Sequence, residues 1–138
     1  MWGKKPRQTA RIDSLIGQNT EIRGDVVFRG GLHVNGVVRG NVISEDDSGS
    51  VLTVSEQGTI EGEVKVPNIV LNGTIIGDVH AAEHIELAAK ARVNGNVYYS
   101  LIEMAMGAEV NGNLVHRAEH EKGVVKIKPE AEKAAGNT

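Results

Sequence analysis

His80 and His84 stand four residues apart, and His33, His116 and His120 are scattered along the chain. Imidazoles can bind a metal or serve as the base of an acyl transfer. This spacing supports neither. The two close histidines fall in a segment that reads as strand, corner, strand, so an i, i+4 pair need not share a face as it would on a helix. No acidic partner completes a zinc trio with them. The chain has no cysteine, which removes disulfides and thiolate metal sites and fits a reducing compartment. Asp25, Glu61, Glu63 and Asp78 flank glycines. Paired carboxylates of this kind occur in polysaccharide-cleaving β-helix enzymes. Those enzymes build a groove from long loops, and this chain has one short insertion. The expected role is outward-facing, solvated charge, which also limits lateral sheet pairing. Gly24 to Gly31 reads GDVVFRGG. It lacks the Lys-Ser/Thr ending of a phosphate loop, and no helix follows. The sequence therefore predicts no enzyme, no cofactor and no metal site.

The elements that carry these residues are set by one phrase, apolar-x-Gly-x-apolar, which occurs six times. It reads Ile22-Arg23-Gly24-Asp25-Val26, Val38-Arg39-Gly40-Asn41-Val42 and Ile60-Glu61-Gly62-Glu63-Val64. It returns as Ile75-Ile76-Gly77-Asp78-Val79, Val93-Asn94-Gly95-Asn96-Val97 and Val110-Asn111-Gly112-Asn113-Leu114. The glycines lie 16, 22, 15, 18 and 17 residues apart. Such a period is too short for a helical repeat or a propeller blade, and it suits one coil of a β-solenoid. Before each phrase comes an apolar pair at i and i+2: Leu32/Val34, Leu52/Val54, Ile69/Leu71, Ile85/Leu87 and Ile102/Met104, with Ile16 alone in the first coil. That is the period of a strand facing one core. The longest gap holds the polar insertion Ser44-Glu45-Asp46-Asp47-Ser48-Gly49-Ser50, expected as a loop outside the coil. Asn-Gly steps also signal hairpins. Return of one phrase in fixed order favours stacked parallel strands over a meander. Strict six-residue steps of a left-handed solenoid are absent, and parallel crossovers are right-handed in most folds. The expectation is all-β: a single-domain, right-handed parallel β-helix of about six coils.

Composition agrees. Hydrophobic residues make up 40% of the 138, enough for a core, while aromatics are only 3%. Layers of Val, Ile and Leu need few rings. Charge divides the chain into three parts. Residues 1–11 hold Lys4, Lys5, Arg7 and Arg11 and no acid; residues 12–117 hold seven bases and fourteen acids; residues 118–138 hold four of each. We expect a flexible basic arm, a β-helix body and a flexible tail over these ranges. An acidic body argues against nucleic acid as a partner. No stretch is long and apolar enough for a membrane span, and no secretory signal is evident, so the default location is cytoplasmic. In the arm, Met1, Trp2, Lys4, Lys5 and Arg7 combine a ring suited to headgroup depth with cations suited to anionic lipid. In the tail, Val124, Val125, Lys126, Ile127 and Lys128 suit either a partner-binding segment or a strand sealing the last coil.

A solenoid without caps exposes an apolar face and strand edges at both ends. No capping helix is evident at either end, so Ile22, Val26 and Phe28 in the first coil and Val110 and Leu114 in the last are the expected polymerisation interface. Repeated stacking of such ends gives an open filament.

Six such coils, a body of about a hundred residues, two tails and an aromatic-lysine start resemble the bactofilins. The resemblance covers residues 12–117. It implies a right-handed triangular β-helix that polymerises end to end without nucleotide into cytoskeletal filaments. It implies binding to the inner face of the cytoplasmic membrane through an N-terminal segment, which Met1 to Lys5 match. It also implies a role in cell shape or polar organisation, with cell-wall enzymes or polar adaptor proteins as partners. The chain departs from the family at one point. Bactofilins often carry an aromatic near the core of the last coil, where this chain has Val110 and Leu114, and its one Phe is Phe28. Two other functions compete: a β-solenoid adaptor that never polymerises, and an acyltransferase of the hexapeptide type. The second needs regular hexads, which the 15–22 spacing does not supply.

Overall fold

Alternating apolar residues between glycine corners give short strands, and the strands stack in parallel. The computed structural model describes residues 14–45 and 49–117. The first coil holds β1 (Ser14–Ile16), β2 (Glu21–Arg23) and β3 (Val26–Phe28). The second holds β4 (Gly31–Val34), β5 (Val37–Arg39) and β6 (Val42–Ser44), and the third β7 (Val51–Val54), β8 (Thr59–Glu61) and β9 (Val64–Lys65). Then follow β10 (Asn68–Leu71), β11 (Thr74–Ile76), β12 (Val79–Leu87), β13 (Arg92–Asn94), β14 (Val97–Met104), β15 (Glu109–Asn111) and β16 (Leu114–His116). The described residues contain no helix.

Every strand pairing is parallel, and the pairings form three columns around one core. One column stacks β1, β4, β7, β10 and the second halves of β12 and β14. The next stacks β2, β5, β8, β11, β13 and β15. The third stacks β3, β6, β9, the first halves of β12 and β14, and β16. This is a parallel β-solenoid of about six coils.

Register keeps like side chains on like. Val38, Ile60, Ile75, Val93 and Val110 follow one another up the second column. In the interior coils the inward pairs Leu52/Val54, Ile69/Leu71 and Ile85/Leu87 are fully buried, as are Ile60, Val64, Ile75, Val79, Val93 and Val97. A parallel sheet has no hairpins to hold its strands, so this continuous apolar interior fixes its register.

The recurring glycine is a packing requirement. A methyl group built on Gly40 would lie 2.1 Å from the Gly24 carbonyl oxygen, and one on Gly95 would lie 2.2 Å from the Gly77 carbonyl oxygen. Each corner after the first therefore sits on the backbone of the corner before it, leaving no room for a side chain.

Two local features depart from the sequence reading. The segment around His80 and His84 is one continuous strand, β12, whose two halves lie in different columns, so the corner between them is a register shift between Ala81 and His84 and not a break in the strand. The amides of Glu83 and His84 both donate to the Pro67 carbonyl, at 2.9 and 3.0 Å, so a bulge takes the chain round the vertex while pairing continues. The polar insertion is also less external than expected at its two ends. Ser44 closes β6 and Ser50 precedes β7, and both are buried.

Candidate functional site: the two ends of the solenoid

An inward-facing side chain in a middle coil is covered by the coil before and the coil after. An end coil has only one of these neighbours. At the C-terminal end β15 pairs only with β13 and β16 only with β14, and no strand lies beyond them among the described residues. Met104, the register partner of buried Leu87, is 45% exposed, and Leu114, the partner of buried Val97, is 43% exposed. Ile102, Ala108 and Val110 pack against the core and are only partly buried. Together they form an apolar end face. Val110 and Leu114, both expected at an interface, lie on it.

The N-terminal end differs. Ile16 and Phe28 are 7% and 8% exposed, although no strand lies beyond β1 or β3 among the described residues. Phe28 pairs in register with the small Ser44 and belongs to the core cluster. Ile22 and Val26 pack partly buried against that core. The three expected residues are brought together in one coil, with Phe28 beneath the surface and Ile22 and Val26 nearer it.

Two features of the surface were not evident as such in the sequence. The residue after each repeated glycine is Asp25, Asn41, Glu63, Asp78, Asn96 or Asn113. Four backbone amides donate to the side chain one coil earlier: Asn41 to Asp25 Oδ1 at 2.9 Å, Glu63 to Asn41 Oδ1 at 2.9 Å, Asn96 to Asp78 Oδ1 at 3.0 Å and Asn113 to Asn96 Oδ1 at 3.1 Å. The carboxylates of Asp25 and Asp78 are therefore rungs between coils, beyond the solvated charge expected of them. The signal was present as an Asx or Glu after each of the six repeated glycines.

The second feature is a charged face on the first coils. Glu21 accepts from Arg23 at 3.2 Å and from Arg39, and Arg39 reaches on to Glu61 at 3.1 Å. The Arg23 and then the Arg39 hydrogen bonds hold the Glu21 carboxyl below its ordinary range. Glu21 is exposed, so solvent screens the interaction.

The histidines do not converge. His80 Nε2 lies 3.4 Å from Glu63 and His84 Nε2 lies 3.6 Å from Glu103. His80 stacks on Tyr98 with centroids 4.7 Å apart, and the Arg117 guanidinium sits 4.5 Å from the same Tyr98 ring centre. Among the described residues no group of three or more His, Asp and Glu is placed to hold a metal. No helix among them is long and apolar enough to cross a membrane. Met1, Trp2, Lys4, Lys5 and Arg7, and Val124 to Lys128, lie outside the described residues.

These features define a class: a short parallel β-solenoid whose apolar interior, among the described residues, is left open at one end. A family model for bactofilins, described as polymer-forming cytoskeletal proteins, matches residues 14–115. The chain belongs to the bactofilin family. It is 27% identical to bactofilin BacO of Myxococcus xanthus (strain DK1622) over 91 residues, which span 66% of this chain and 69% of that protein. It is 32% identical to bactofilin BacP of the same organism over 60 residues, 44% of this chain and 25% of BacP. No solved structure matches the chain.

Proposed function

We propose that this bactofilin polymerises end to end, without nucleotide, through its first and last coils. The filament would bind the inner face of the cytoplasmic membrane and localise cell-shape or cell-wall factors. The observation that carries the reading is the loss of cover at the last coil. Met104 and Leu114 occupy columns that are fully buried one coil earlier, and they are nearly half exposed. Stacking a second subunit removes that apolar area from water and pairs the strand edges together. In this arrangement Val110 and Leu114 meet the neighbour at one end. Ile22 and Val26 meet it at the other, with Phe28 holding the shape of that end from below.

The reading divides the chain into an arm at residues 1–11, a polymerising body at 12–117 and a tail at 118–138. In the arm, Trp2 contributes an interfacial ring, and Lys4, Lys5 and Arg7 contribute about 1 kcal/mol each near an anionic surface. One arm binds marginally. A filament carries many, so later contacts become intramolecular and avidity rises. Purified protein in nucleotide-free buffer should pellet on ultracentrifugation and co-sediment with anionic vesicles. Deletion of residues 1–7 should abolish lipid binding and spare the filaments. A strict need for ATP or GTP, or a monomer at every concentration, overturns the filament reading; the latter leaves a non-polymerising adaptor. Undiminished lipid binding by the truncated protein overturns the anchor.

A further inference from the structure

Three strand edges are free at the last coil among the described residues: β15, β16 and the second half of β14, the last being the next position along the winding after β16. β14 spans Val97–Met104, but β16 pairs only with its Val97–Tyr99 portion. The Leu101–Met104 portion rests on β12 and has no strand on its other side among the described residues. Three of the seven exposed large hydrophobics among the described residues lie here or in the turn that follows: Leu101 at 66%, Met104, and Met106 at 94%.

We propose that residues 124–128 of the same chain add a parallel strand to this edge and partly cap the end. The inference rests on the end-stacking reading above for its consequence, but not for its geometry. Three observations support it. The first is length. The chain makes the same crossing from β3 to β4 and from β9 to β10 through two residues each, and its longest version runs from β6 to β7 through residues 45–50. From β16 to Val124 it has residues 117–123, one more. The second is alternation. Val125 and Ile127 repeat the i, i+2 apolar pair of the five coils after the first, whereas Val124 and Lys126 in that place would bury a charge. Val125 then falls over Ile102 and Ile127 over Met104, as Leu52 and Val54 fall over Leu32 and Val34.

The third is charge. In this register Lys126 falls over Glu103 on the outward face. The outward row below it runs His33, Thr53, Val70, Glu86, Glu103. Glu103 is near His84 on one side, at 3.6 Å, and its other side faces the open edge. Lys126 would thus extend a row that ends in two stacked glutamates, and Val124 would cover exposed Leu101. Opposite charges directly across a strand pair stabilise it.

A strand on one of three columns covers part of the end face and competes there with an incoming subunit. The tail is thereby a brake on growth at the C-terminal end. Native protein has no cysteine, so a designed pair reports the register cleanly. Glu103→Cys with Lys126→Cys, oxidised in dilute full-length protein, should form a disulfide within one chain. Strand neighbours place their Cα atoms within disulfide reach. Glu103→Cys with Val125→Cys, on opposite faces, should not. Removal of residues 118–138, or Ile127→Lys alone, should lower the critical concentration for assembly about tenfold, equivalent to ~1.4 kcal/mol of lost competition. Absence of the 103–126 disulfide, its formation only between chains, or an unchanged critical concentration in both variants overturns the cap. An intrachain disulfide in protein that never assembles would uphold the cap and refute the filament reading.

Discussion

In the first coil Ile16 and Phe28 are buried, while in the last coil Met104 and Leu114 stand open. Both coils carry the same repeated phrase, Ile22 to Val26 in one and Val110 to Leu114 in the other. The difference lies in side-chain volume and neighbours. At the first end a Phe faces the small Ser44 in the adjoining strand and joins the core. At the last end Leu114 sits over Val97, with nothing above it among the described residues. Apolar area at the first end is thus mostly buried within the subunit, and much of that at the last end is exposed. The repeated glycine makes the same contrast in the backbone. A methyl on Gly112 would strike the Gly95 carbonyl oxygen at 2.1 Å, but one on Gly24 would meet nothing within 4 Å. Among the described residues Gly24 has no corner beneath it, because it begins the column.

The largest expected effect separates the middle of the molecule from its end. Ile75 is fully buried with β8 and β13 on either side of its strand. Ile75→Arg introduces an unpaired charge there at a cost of several kcal/mol, about the size of a small domain's whole stability. Circular dichroism should show loss of the strand signal. Val110→Arg places the same charge on a face that has water on one side. Its strand signal should persist while pelleting falls away. Equal damage from both substitutions would erase the distinction between enclosed and open layers.

A pair of truncations sharpens the contrast between the ends. Phe28→Ala removes a buried ring and should cost about 3 kcal/mol of folding stability, read as a lower melting temperature. Leu114→Ala removes a side chain that is nearly half exposed. It should change melting of the unassembled protein little and raise the critical concentration for assembly. A larger melting shift for Leu114→Ala than for Phe28→Ala would reverse the assignment of the two ends.

Smaller effects belong to the ladders between coils. Asp78→Ala deletes the acceptor of the Asn96 amide. The loss should be about 1–2 kcal/mol, as for a hydrogen bond to a charged group, seen in chemical denaturation. The smallest effect concerns Glu21. Its carboxyl is held low by Arg23 and Arg39, so its contribution is present above the ordinary value of 4.5 and is lost as pH falls through the lowered one. Wild type and Glu21→Gln should converge in melting temperature as the pH is taken below that range. A gap that widens on acidification would contradict the assigned sign.

The coil count and the inward face were legible because period and packing are the same thing in a solenoid. Each apolar pair from Leu32/Val34 to Ile85/Leu87 is buried as its spacing predicts. Burial at the ends was less legible. The phrase around Gly112 matches that around Gly95, and a local pattern does not state whether another coil follows. The bulge in β12 was missed because it depends on the Pro67 carbonyl one coil earlier, a partner distant in sequence. The Asx rungs were visible as residue types but read as surface charge, since their partners are backbone amides that appear only once coils are stacked.

The most direct test of the central account is sedimentation of wild type beside Val110→Arg in nucleotide-free buffer, with circular dichroism of both. The account predicts that wild type pellets, that Val110→Arg stays in the supernatant as a small species, and that the two have matching strand signals. Pelleting of the folded Val110→Arg protein at the wild-type critical concentration would contradict it, because the open end of the last coil would then carry no part of assembly.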